Sequence, residues 1–104
     1  MSSGIRLQSV GHLAWYGIVT AEDAASVSRQ GAMLLENTNN SEVRLDVHEL
    51  ESANSLVAAL LLGWWRIVTT KGHLLKVQGA SPSLCSVLDV YGLGWMLDSA
   101  QSTA

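Results

Sequence analysis

Residues 51–68 read ESANSLVAALLLGWWRIV, and the reading of this stretch decides the fold. A short polar cluster, Glu51 to Ser55, leads directly into a segment that is apolar almost all the way round a helix. Ser55 is of the residue type that caps a helix, and Gly72 is of the type that ends one, so the stretch predicts a helix from Leu56 to about Lys71. Helical neighbours stand about 100° apart, so Trp64 and Trp65 cannot both point at the centre of one core. Ala58, Leu61, Leu62, Trp65 and Val68 share one face. Leu56, Leu60, Trp64 and Ile67 share another, bordered by Ala59 and Gly63. Together they exceed the single apolar stripe of an ordinary surface helix. The expectation is that the Trp65 face meets the core and the Trp64 face forms an apolar patch for a partner. The alternative is that a neighbouring helix covers that second face.

Outward from this helix the chain alternates strands and helices. VRLDV, 43–47, reads as a strand with Arg44 and Asp46 alternating against apolar residues. LLKVQ, 74–78, reads as another. Before them, Ile5 to Val10 and His12 to Val19 are short apolar runs around Gly11 and predict a hairpin. Thr20 with Asp23 three positions on reads as a helix start for 21–36, which carries Ala24, Val27, Ala32, Leu34 and Leu35. NTNNS, 37–41, is a loop by composition. Ser81-Pro82 opens a helix that carries Leu84, Val87, Leu88 and Tyr91 and stops at Gly92. Leu93 to Leu97 is expected to add a last edge strand. The order β-β-α-β-α-β-α predicts an α/β domain over 1–97. Its mixed sheet should have four or five strands, with the helices packed mainly on one face. Residues 98–104 read as a polar tail.

Composition narrows the function. With 104 residues the chain is long enough for one modest core. A formal charge of −3, with only six scattered Lys and Arg, argues against a nucleic-acid partner. Cys85 is the single cysteine, which leaves no disulfide framework and no Cys-based metal site and suits a reducing, cytoplasmic compartment. The N-terminal MSSGIRLQSVG lacks a signal-peptide pattern. Leu56 to Val68 is far shorter than the roughly 20 residues needed to span a bilayer, and Arg66 interrupts it, so no direct membrane insertion is expected.

The polar residues do not assemble a catalytic set. Asp46 and His48 are suitable for acid–base work but lack a nucleophile or a phosphate loop beside them. His12, His48 and His73 lack metal-ligand spacing. No catalytic residue, cofactor or metal is therefore expected. Cys85 reads as a small core residue. Trp95 either covers the sheet edge or joins a partner surface. Ser55 either caps its helix or is a site of modification.

In this order and spacing, LDVHEL (45–50), ESANS (51–55), LVAALLLGWWRIVTTKG (56–72) and LLKVQG (74–79) resemble a STAS domain. The family hallmark is a strand ending in Asp, a short turn, then Asp-Ser or Asp-Thr at the start of a leucine-rich helix; Asn54-Ser55 stands at that position. VQGASPSLCSVLDVYGL, 77–93, is most similar to the lipid-asymmetry, MlaB-like branch. That resemblance implies a non-catalytic cytosolic subunit that binds the ATPase of a phospholipid-trafficking ABC transporter, reaching the inner face of the inner membrane through that partner. The partner-binding residues would be Asn54, Ser55, Leu56, Ala59, Leu60, Gly63, Trp64 and Ile67. The related branch implies the alternative, an anti-sigma factor antagonist switched when a partner serine kinase phosphorylates Ser55. Two departures favour the first: Asn54 replaces the family acid, and bulky Leu56-Val57 replace the small residues that usually follow the hydroxyl.

Overall fold

Strand alternation sets the architecture. In a computed structural model, which describes residues 3–96, β1 (Gly4–Ser9) and β2 (His12–Tyr16) form the expected hairpin. They are followed by α1 (Ala21–Glu36), β3 (Glu42–Asp46), α2 (Ser55–Thr70), β4 (Leu74–Gln78) and α3 (Pro82–Val90). The sheet order is β1-β2-β3-β4. β1 and β2 pair antiparallel, whereas β2–β3 and β3–β4 pair parallel, because helices connect them. The register puts Ile5 opposite Trp15, Leu13 opposite Leu45, and Leu45 opposite Val77, so one face of the sheet is apolar. The three helices bury Val27, Leu35, Val57, Leu61, Leu84 and Leu88 in the same core as those residues. The opposite sheet face carries Arg6, His12, Arg44, Asp46, Lys76 and Gln78. The mixed sheet with helices on one face is the expected α/β domain.

The two tryptophans are the other way round from the sequence-based expectation. Trp64 is 1 % exposed. Its ring meets that of Trp15 edge-on, 4.7 Å between centroids at 71°, and its Nε1 donates to the Ser28 carbonyl at 3.2 Å. Trp65 is only partly buried. The cause is α1, which lies along the Trp64 side of α2. That contact requires Gly31, since a Cβ built there would overlap the Trp64 indole. A helix-interior glycine is about 1 kcal/mol worse than alanine intrinsically; here it opens the slot that the indole fills. A neighbouring helix therefore covers the face that was expected to meet a partner.

The same two helices are joined at their far ends. The Lys71 ammonium donates to the carbonyls of Leu35 (3.1 Å), Glu36 (2.9 Å) and Thr38. Leu35 and Glu36 belong to the last turn of α1 and Thr38 follows it, and a cation at this helix end is favoured by the helix dipole.

The expected last strand is absent. Gly94–Met96 is a single 3-10 turn. The Leu93 amide bonds back to the Leu88 carbonyl at 2.7 Å, and the Met96 amide to Leu93 at 3.0 Å. The backbone is thus satisfied locally, with Met96 pressed into the core and Trp95 left outside. Leu97 and the polar tail 98–104 lie outside the described residues.

Trp64→Ala is expected to lower unfolding stability by about 3–5 kcal/mol in urea denaturation, as for a core aromatic. Trp65→Ala should cost clearly less. Gly31→Ala should destabilise by about 1–3 kcal/mol despite its better helix propensity, since it overpacks the slot. Lys71→Met should cost about 1 kcal/mol by the same measurement.

Candidate functional site

The approach to α2 is laced to the approach to α1. The Gly17 amide donates to the Glu49 carbonyl at 3.2 Å, and the Glu51 amide returns to Gly17 at 2.8 Å. Next to them the Val19 amide donates to the buried Ser52 hydroxyl at 2.7 Å. These bonds extend the β2–β3 pairing past the strand ends and hold the chain that delivers Asn54 and Ser55.

Asn54, rather than Ser55, caps α2. Its Oδ1 accepts from the amides of Leu56 (3.0 Å) and Val57 (3.2 Å). An amide side chain serves as well as a hydroxyl in this role. Ser55 becomes the first helical residue and is exposed. α3 starts as its sequence predicts: the Ser81 hydroxyl accepts from Leu84 at 3.2 Å, with Pro82 at the first helical position.

Ser55 sits where two hollows meet. One, of about 170 Å³, lies between Ser55, Ala58, Ala59 and Leu62 of α2 and Tyr91 and Leu93 beyond α3. The other, of about 230 Å³, lies between Ser55 and Ser86, Val87, Val90 and Tyr91. No lining residue is charged. Val90 is 80 % exposed, Tyr91 55 % and Trp95 56 %. Trp95 meets Trp65 edge-on, 5.0 Å between centroids at 71°. Together these residues make an exposed apolar surface beside α2 and α3.

The sequence-predicted site residues divide. Ser55 and Ala59 line the hollow. Asn54 and Gly63 are exposed. Leu56, Leu60 and Ile67 pack partly against the core, and Ile67 borders a separate hollow of about 520 Å³ with Glu36, Arg66, Thr70 and Lys71. Trp64 is removed from any surface role by its burial. Leu62, Val87, Val90 and Tyr91 line the two hollows, and Trp65 packs on Trp95 beside them; of these six only Trp95 was singled out from the sequence as a candidate for an exposed surface. For Val90, Tyr91 and Trp95 the signal was present in LDVYGLGW, 88–95, where apolar residues outnumber what one buried stripe requires.

Behind these turns, Asp46 and His48 do come together. Asp46 Oδ1 accepts from the His48 amide at 2.9 Å and faces its Nδ1 at 2.8 Å. Partial burial pushes the Asp46 carboxyl up, but the His48 amide and ring outweigh it and hold it below its usual value. The hydrogen bond to Asp46, then its charge, raise the His48 imidazole above the ordinary value. The pair forms a turn clasp. Among the described residues no three His, Cys, Asp or Glu side chains converge to hold a metal. No helix among them is long and apolar enough to cross a membrane.

The cap assignment has a direct check. Asn54→Ala should cost about 1 kcal/mol of stability, whereas Ser55→Ala should leave the melting temperature nearly unchanged. The reverse ranking in thermal unfolding would return the cap to Ser55.

Comparison with known proteins agrees with this architecture. A solved structure of the anti-sigma factor antagonist SpoIIAA in its unphosphorylated form superposes with a TM-score of 0.74 at 12% identity, covering 97% of this chain and 92% of that one. A structure of the Bacillus cell fate determinant SpoIIAA in the phosphorylated form gives a TM-score of 0.68, also at 12% identity, over 97% of this chain and 96% of that one. At such identity the likeness is one of fold. No curated protein sequence matches the chain. The family model described as "Mlab, STAS domain" matches residues 5–98, nearly the whole described domain, and the chain therefore belongs to the MlaB-type STAS domain family.

Proposed function

We propose that this protein is a non-catalytic adaptor that binds and supports the cytosolic ATPase of a phospholipid-trafficking ABC transporter, as its MlaB-type family membership suggests. The observation that carries the reading is the uncharged apolar surface between α2 and α3, with Tyr91, Trp95 and Val90 standing out into solvent. An exposed patch of this kind marks an interface. Exposed aromatics beside small concavities have the composition of interface hot spots. Ala58 and Ala59 keep the floor low, so that an apolar side chain of the ATPase seats against Leu62 and Leu93 while Tyr91 and Trp95 close over it. Asn54, Ser55, Ala59 and Gly63 belong to this docking surface or its margin. In this reading the protein works at the cytoplasmic face of the membrane through its partner and enters no lipid itself.

The alternative is the phosphorylation switch. Ser55 is exposed and free of the capping role, and solved SpoIIAA structures share the fold. Against it stand Asn54 in place of the family acid and Leu56 in place of a small residue, half-buried beside the hydroxyl.

The test is affinity co-purification of this protein from its own host with identification of the bound proteins, an ABC-transporter ATPase being the expected partner, alongside intact-mass analysis of the purified protein. Trp95→Ala and Tyr91→Ala should each weaken ATPase binding by about 30-fold or more, the equivalent of about 2 kcal/mol for a hot-spot aromatic, with circular dichroism unchanged. Ser55→Ala should retain most binding. A substantial phosphorylated fraction at Ser55, with a serine kinase as the specific partner, would replace this reading with the switch.

A further inference from the structure

The docking surface is built from two helices, and the turns that launch them touch. His48 follows the end of β3, in the turn that leads to α2. Gly79 follows the end of β4, three residues before α3 begins at Pro82. The Val47 amide donates to the Gln78 carbonyl at 2.9 Å, which draws the two turns together. Gly79 has φ +78, a conformation that side chains disfavour. A Cβ there would also lie 2.6 Å from Asp46 Oδ1, 2.9 Å from His48 Cβ and 3.0 Å from the His48 amide nitrogen. The Asp46–His48 clasp is thus packed directly against the turn that starts α3, while its own backbone continues into the turn that starts α2.

We propose that the Asp46–His48 clasp is a pH-sensitive latch, which sets how the first turns of α2 and α3 are held relative to one another and so shapes the hollow beside Ser55. Its consequence for docking rests on the α2–α3 surface being the partner site; the latch itself does not.

The chemistry follows from the imidazole. When His48 is protonated, Nδ1–H must donate and the clasp is charge-assisted. When it is neutral, the Asp46 carboxylate selects the tautomer whose Nδ1–H still donates, so the clasp loses its charge assistance and loosens. The surrounding groups define the direction. Asp46, through its hydrogen bond and then its charge, raises the His48 pKa; Glu49 adds to this, while partial desolvation and Arg6 oppose it. Arg6 is itself engaged with Glu49 at 2.9 Å. From β2, His12 acts on Asp46. Gln78 and Gly79, from the β4–α3 side, bring no charge. A folded-state pKa raised above the unfolded value means that the latch is at full strength below the ordinary imidazole range and loosens as pH rises through the raised value.

The test is an NMR titration of the isolated protein from about pH 5 to about pH 9, spanning the range in which imidazoles change charge. The ring resonances of His48 are followed together with the amides of Ser55 and Leu84 and the Trp95 indole. The expected result is that Ser55 and Leu84 shift with the same inflection as His48, above the ordinary histidine value, and that His48→Gln abolishes those shifts. This variant also controls for His12 and His73. Groove resonances that stay flat while His48 titrates, or that still move in His48→Gln, would overturn the latch. A second arm measures ATPase binding at the two ends of the range. Tighter binding at the acid end that disappears in His48→Gln supports both the latch and the docking reading. Coupled NMR shifts without ATPase binding at any pH support the latch and overturn the partner assignment.

Discussion

The structure depends on one wedge. Trp64 of α2 enters the slot that Gly31 leaves in α1 and meets the edge of Trp15 on the central part of the sheet. Three elements distant in sequence share that contact. The indole is large enough to fill the space between two helices and a strand, and its one polar atom finds the Ser28 carbonyl. Once this side of α2 is committed to α1, the orientation of the helix about its own axis is set. The Lys71 ammonium on the last carbonyls of α1 reinforces the same alignment from the other end.

The exterior follows from that orientation. A helix that is apolar on two sides and gives one to α1 turns the other toward α3. α3 has only nine residues and cannot cover it. Trp65 is left half-shielded by Trp95, and the small residues Ala58 and Ala59 leave hollows beside Ser55. The apolar character that the sequence concentrates in this helix is therefore divided between a core and an exposed apolar surface. The division explains how a domain this small keeps a well-filled interior while exposing several large side chains.

The turns carry the remaining order. Asn54, Ser52 and Ser81 each satisfy backbone amides at the points where strands become helices. These bonds fix the helix starts by local chemistry rather than by bulk packing, and the Asn54 cap adjoins Ser55 at the hollows. The open sheet face is polar and contributes ion pairs such as Arg6–Glu49 and Arg44–Glu42, which are solvated and add little to stability.

Much of this was legible in the sequence. Strand alternation in VRLDV, the Thr20 and Ser81-Pro82 starts and the order of elements led to the sheet and its three helices, because period and capping are local properties. The motifs around Asn54-Ser55 led to the family for the same reason. The sequence also showed that α2 has two apolar faces and that Trp64 and Trp65 must part company. Which face turned inward was decided only by tertiary structure. The two faces are nearly equal in hydrophobicity, and the deciding feature, a missing side chain at Gly31, lies 33 positions away on another helix. The same holds for Trp95: a stretch that reads as a strand became a turn once its amides found partners at Leu88 and Leu93. Local pattern determines what each segment can form; the shape of its neighbours determines which surface it buries.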